Sequence, residues 1–221
     1  MAYTNKTSIE QYMGITINNT LNDFVTALIA AATEFIERTC GDEAFGPRVF
    51  EAPDPDNAID RVFDGNDSTR LYIGDLREIV SLTIDGNPYT QTTDYLLYPA
   101  NLSPKLWIEL IQPAGAVNSR LSRAGTYTFI GGQQNVVISA KWGYSAAVPA
   151  AITIATNKLV AAMIKENIGD KDVREVTSET LGDYSVTFQA LQKVADALKV
   201  TDILAPYMRS KKVPRAGTIV V

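Results

Sequence analysis

The sequence predicts an α+β protein: a helical bundle domain carrying an inserted antiparallel β-domain (a small barrel or sandwich), with a β-hairpin before the last helix. Three observations predict it. Apolar residues recur at helical spacing near both ends of the chain. Short β-branched and aromatic runs, separated by turn residues, fill the middle. The order helix, strands, helix places the strands between two parts of one helical body. The expected boundaries are a first helical part at 1–45, a β-rich insert at 46–145, a second helical part at 146–208 with the hairpin at 173–188, and a C-terminal arm at 209–221.

In chain order, Thr7 with Glu10 reads as a capping box that opens a short helix ending before Gly14. Thr20 with Asp23 caps a longer one. Its stripe is Leu21, Phe24, Val25, Leu28, Ile29, Ala32, Phe35 and Ile36, and Gly41 stands where a left-handed C-terminal cap belongs. Strand-like runs follow at Arg48–Phe50, Arg61–Phe63, Arg70–Ile73, Ile79–Ile84, Tyr95–Tyr98, Leu106–Ile111, Thr126–Ile130 and Val136–Trp142. Asp64-Gly65, Asp85-Gly86, Asn87-Pro88 and Gly131-Gly132 punctuate them, and Asp85-Gly86 between two apolar runs is a hairpin signal. Pro149 then heads a helix with Ile152, Ala155, Leu159, Val160, Met163, Ile164 and Ile168 on its stripe. Val173–Phe188 reads as two β-like runs joined by Gly182-Asp183. A last helix carries Leu191, Val194, Ala195, Leu198, Ile203 and Leu204 before Pro206 and a basic tail.

Composition excludes much chemistry. The 221 residues are 46% hydrophobic and 20% charged, ordinary globular usage. The formal charge is −5, whereas a broad nucleic-acid-gripping face carries a basic excess. There is no histidine and one cysteine, Cys40. Ser–His and Cys–His nucleophiles, His/Cys zinc sites and internal disulfides are therefore impossible. No cofactor is expected. The start of the chain is polar, and the most apolar stretches (24–32 and 146–164) are too short or interrupted to span a bilayer, so a soluble protein with no membrane association is expected.

The remaining motifs reduce to local structure. Asp64-Gly-Asn66-Asp67-Ser68 starts like a calcium loop, but Thr69 stands where glycine is required and the bidentate glutamate is missing; a polar turn is the expectation. Gly131-Gly132-Gln133 reads as a turn between strands, and no phosphate-binding glycine loop exists. Asp54 with Asp56, or Glu166 with Asp170, are weak candidates for paired catalytic carboxylates. Two features point outside one copy. An isolated hairpin is marginal in water, so Tyr184, Val186 and Phe188 on one face of 173–188 are candidates for packing on a neighbouring copy. Arg209, Lys211, Lys212 and Arg215 make a basic, Pro-interrupted arm for an acidic or grooved partner, and Thr218–Val221 suits addition to an exposed sheet edge.

Several stretches, taken in order, resemble the head–tail connector (head-completion adaptor) family of tailed phages. Phe35-Ile-Glu-Arg-Thr-Cys-Gly41 followed by Phe45 resembles its first helix end, and Phe63-Asp-Gly65 with Leu71-Tyr-Ile73 the start of its β region. Trp142-Gly-Tyr144, Val148-Pro-Ala-Ala-Ile152 and 159–167 resemble its most recognisable block, with Lys165 where an aromatic often stands. Residues 179–188 resemble the hairpin and Ile203–Arg209 the closing helix and tail; 87–132 carries no matching motif. The resemblance implies a structural, non-enzymatic protein of the virion neck, made in the bacterial host cytoplasm. It implies a homo-oligomeric ring of twelve copies beneath the portal protein, which extends the DNA channel and receives a downstream stopper or tail component. DNA would pass without sequence-specific binding. On this reading Tyr184, Val186 and Phe188 face the ring neighbour, and Tyr207, Arg209, Lys211, Lys212 and Arg215 hold the portal. Two other classes stay open: an enzyme using carboxylates and a divalent ion, and a monomeric β-domain binding module for peptide or saccharide.

Overall fold

A computed structural model describes residues 2–111 apart from Pro53 and Pro55, then 128–168 and 188–209. The chain forms two compact units. Among the described residues, one combines those up to Arg48 with those from Val148 to Arg209, and the other begins at Val49 and runs to Ala147.

The first unit is helical: α1 (Lys6–Met13), α2 (Asn22–Cys40), α3 (Ala150–Ile168), α4 (Phe188–Ala197) and α5 (Val200–Leu204). α3 is the central helix, packing against α1, α2, α4 and α5. It buries Ile152, Ala155, Leu159, Val160, Ala161, Met163 and Ile164, so its apolar surface wraps most of its girth instead of forming a narrow stripe. The Pro149 carbonyl accepts the first helical bonds, from Ile152 (2.9 Å) and Thr153 (3.2 Å). α2 buries Val25, Leu28, Ile29, Ala32, Phe35 and Ile36, the stripe read from its sequence.

The caps differ from expectation. Asn5, not Thr7, caps α1, its side chain accepting from the Ser8 N–H at 2.9 Å, while Glu10 Oε1 accepts from the Ile17 N–H at 2.8 Å beyond the helix. A 3-10 turn, Asn19–Leu21, precedes α2, with the Asn18 side chain accepting from Thr20 N–H at 3.1 Å. Gly41 is extended (φ −77°, ψ −174°) and not left-handed. Its small size answers to space, because a Cβ there would lie 2.4 Å from the Gly46 oxygen. The expected last helix is two, broken at Lys199, whose φ is +54°.

The second unit holds β1 (Ile59–Gly65), β2 (Arg70–Ile84), β3 (Asn87–Tyr89), β4 (Tyr95–Tyr98), β5 (Lys105–Leu110) and β6 (Gly132–Trp142). Its architecture is α+β's antiparallel part as expected, but among the described residues the strands form one open sheet, ordered β1-β6-β2-β5-β4 with β3 beside β2, and not a closed barrel or sandwich. The cause is β2. The two runs read at Arg70–Ile73 and Ile79–Ile84 are one long strand that pairs β5 with its first half and β6 with its second. Register shifts between Tyr72 and Leu76, between Leu76 and Glu78 and between Ile79 and Ser81 interrupt the strict alternation along it. Leu71 and Ile73, then Leu76, then Leu82 and Ile84, are thereby all buried. β6 contributes Val136, Ile138, Ala140 and Trp142 to the same core. Trp142 donates its indole N–H to the Ile59 carbonyl at 2.7 Å, and the Arg61 guanidinium lies 4.3 Å from its ring centroid.

Asp85 (φ +50°) and Gly86 (φ +74°) form the tight turn from β2 into β3, the conformation Asp-Gly favours. Asn87-Pro88, read as a turn, belongs to β3, and Arg48–Phe50 is not a strand; Glu51 instead makes a single bridge to Ser145. Phe129 and Ile130 lie outside the strands. The hairpin expected over 173–188 lies outside the described residues except for Phe188, which opens α4.

Candidate interaction site at the root of the C-terminal segment

Residues 40–48 and 205–209 build the most elaborate polar arrangement of the helical unit. Asp42 makes a side-chain turn, its Oδ1 accepting from the N–H groups of Ala44 (2.9 Å) and Phe45 (2.7 Å). The Asp42 N–H closes the loop onto the Gly46 carbonyl at 3.2 Å. Glu37, in the last turns of α2, fastens it: its carbonyl accepts from both Gly41 and Arg48 N–H at 2.9 Å, and its carboxylate accepts from the Tyr3 hydroxyl at 2.6 Å.

Arg209 fills this cradle. Its N–H donates to the Cys40 carbonyl at 3.0 Å, and its Nη1 donates to the Gly46 carbonyl at 3.3 Å. The same Nη1 lies 3.9 Å from Asp42 Oδ1, with only 9% of the side chain exposed, and the guanidinium sits 5.5 Å from the Phe45 ring centroid. Arg48, itself buried, donates Nη1 to the Tyr207 carbonyl at 2.5 Å. Two arginines therefore hold the backbone on either side of Met208, and each is compensated by carbonyl, carboxylate or ring, as burial of a cation requires. Cys40 is buried; burial pushes its thiol up to about 12, with Arg48 opposing the shift.

Sequence reasoning placed Tyr207 and Arg209 on a partner-facing arm. The structure places the Tyr207 carbonyl and the Arg209 side chain in the chain's own packing. Lys211, Lys212 and Arg215, like Tyr184 and Val186, lie outside the described residues, as does the side chain of Phe188. Arg48 and Asp42 were missed. Asp42, two to four residues ahead of Ala44, Phe45 and Gly46, carries the usual signal of a side-chain turn; Arg48 carried no signal, because its partner is 159 residues away.

In the β unit the carboxylates of the abandoned calcium pattern lock loops together. Asp67 Oδ1 accepts from Gly131 N–H and Asp64 Oδ1 from Gln134 N–H, both at 2.6 Å. Among the described residues no group of three or more His, Cys, Asp or Glu side chains could hold a metal ion. On the sheet face away from the core, register aligns Tyr98, Trp107 and Tyr72 across β4, β5 and β2. Tyr98 stacks on Trp107 (5.6 Å, 9°), and the Arg70 guanidinium lies 5.2 Å from the same ring while pairing with Glu109 at 3.1 Å. Among the described residues no helix is long and apolar enough to cross a membrane.

No protein-family model matches the chain, and no curated protein sequence does. Among solved structures the fold is similar to a chain of the virion of a native gene transfer agent particle, at 16% identity and a TM-score of 0.39, covering 89% of this chain and 80% of that one.

Proposed function

We propose that this chain is a structural head–tail connector of a tailed phage or phage-like particle, a ring of twelve copies beneath the portal that extends the DNA channel and joins capsid to tail. The observation that carries this reading is the clamp on the C-terminal segment. Arg48 and Arg209 fix the backbone at 207–209, the point from which the basic segment would start. Such a root gives a basic arm direction, which lowers the ordering cost of docking it on a partner. Further support comes from the ordered blocks at 35–45, 142–152 and 159–167, which resemble that family.

In this reading the helices form the ring body. Tyr184, Val186 and Phe188 face the ring neighbour, Lys211, Lys212 and Arg215 reach the portal, and Tyr207 and Arg209 serve as the root of the arm. The β unit meets a neighbour or the downstream stopper. A net charge of −5 keeps the DNA phosphates from sticking, so the genome slides through a channel that does not read sequence. The part is mechanical and non-enzymatic, and it resides in the virion neck after synthesis in the host cytoplasm.

The test is binding to a purified portal ring, followed by mass photometry at several concentrations. A large closed assembly, alone or on the portal, is expected. A chain that stays monomeric and ignores the portal would sink the proposal. A second reading, a β-domain binding module, is favoured by the Tyr98–Trp107–Tyr72 row alone. Its rings are already engaged with one another, which suits packing better than an open platform. Trp fluorescence titrated with peptide or saccharide pools distinguishes the two readings.

A further inference from the structure

β1 is an edge strand. It pairs with β6 from Ile59↔Ala140 to Gly65↔Gly132, and among the described residues no strand lies along its other side. A row of backbone donors and acceptors on such an edge is a template for another extended segment. The strand is also more apolar outside than an edge usually is: Val62 is 52% exposed and stands opposite Val137 on the sheet face turned from the core. Its C-terminal end runs into Asp64 and Asp67, each of which uses one carboxylate oxygen on a neighbouring loop N–H and keeps its negative charge at the surface.

The chain carries a segment of complementary character. After Arg209 come two lysines, Pro214, Arg215, Gly217 and then Thr-Ile-Val-Val to Val221. Pro214 and Gly217 disfavour helix, and the four final residues are all β-branched, which favours strand. Thr218 lies nine positions beyond Arg209, a reach of about 30 Å when extended.

We propose that Thr218–Val221 of one copy adds to β1 of a neighbouring copy as an antiparallel strand, with Ile219 facing Val62. Charge sets the direction. Antiparallel addition brings Arg215 beside the Asp64–Asp67 end, whereas parallel addition carries it past Ile59 and away from that end. Lys211 and Lys212 stay between the clamp and the strand, free for the portal. Donor and acceptor are unlike surfaces, so the contact is heterologous and repeats around a closed ring. The inference rests on the ring reading only in supplying the neighbouring copy.

Two full-length preparations of different tag mass test it, one carrying Val62→Cys and the other Ile219→Cys. Val62 is 52% exposed, so its substitution is expected to leave folding intact. Cys40 is buried with its thiol raised to about 12 and does not compete. After mixing and mild oxidation, the mixed disulfide is expected to exceed either symmetric one roughly tenfold, because facing residues of paired strands bring Cβ atoms near disulfide range. Arg215→Glu is expected to reduce that yield at low salt. Absence of the mixed species overturns the proposal. So does a doubly substituted chain, Val62→Cys with Ile219→Cys, that closes only within itself. Rings that form on the portal without this crosslink reject the strand exchange and leave the connector reading standing; a crosslink without rings does the reverse.

Discussion

Arg209 shows how one side chain changes the meaning of a segment. By composition it heads a basic tail; in the fold it belongs to the helical unit, held by Cys40, Gly46 and Asp42. Truncation after Arg209 is therefore expected to leave thermal stability unchanged while weakening portal binding. Truncation after Met208 removes those bonds and leaves Asp42 without its cation. That costs about 1–3 kcal/mol, a drop in melting midpoint of roughly 2–4 °C per kcal/mol for a chain of this size. Equal melting curves for the two truncations would remove the clamp from the account. Cys40 supplies a second prediction. Its folded thiol is raised from 9.0 to about 12, chiefly by burial, so the folded state must keep its proton. Stability is full below the unfolded value and falls as pH climbs from about 9 toward 12, because the unfolded chain ionises first. Tyr95, raised from 10.0 to about 12 by burial and then by Asp94, adds to the same alkaline limb. Cys40→Ala should flatten that limb in a chemical-denaturation series across pH, after correction for its lower starting stability.

At the level of elements, helices were easier to read than strands for a physical reason. The α2 stripe from Val25 to Ile36 repeats with the helix turn, so burial follows directly from sequence spacing. β2 alternates as a strand should, yet three register shifts interrupt that alternation, and its sequence reads as two strands separated by a gap at 74–78. Gly74 sits in that break with φ +79°. A residue with Cβ is strained there, so Gly74→Ala is expected to destabilise the β unit by about 1–2 kcal/mol, read as an earlier denaturant midpoint with unchanged slope. An unaffected midpoint would mean that the irregularity tolerates another geometry. The capping errors share a cause. Several Asn, Thr and Asp side chains crowd each helix start, and which of them caps depends on where the preceding backbone enters.

The whole molecule is two units from one interrupted chain, and its proposed work is assembly. That scale yields the expectation that the Arg209 truncation, the Val62/Ile219 crosslink and portal-dependent ring formation respond to different parts of one tail. Residues 184, 186, 211, 212 and 215 remain proposals about partners outside a single copy. The sequence by itself determined the α+β class, the helical stripes, the Asp-Gly turn and the exclusion of histidine-based chemistry, because each depends on residue type or local spacing. Only the tertiary structure decided that the sheet is open, that Gly41 answers to space, and that Arg48 grips Tyr207. Those outcomes depend on which distant backbone atoms arrive at the same place, and local periodicity carries no record of that.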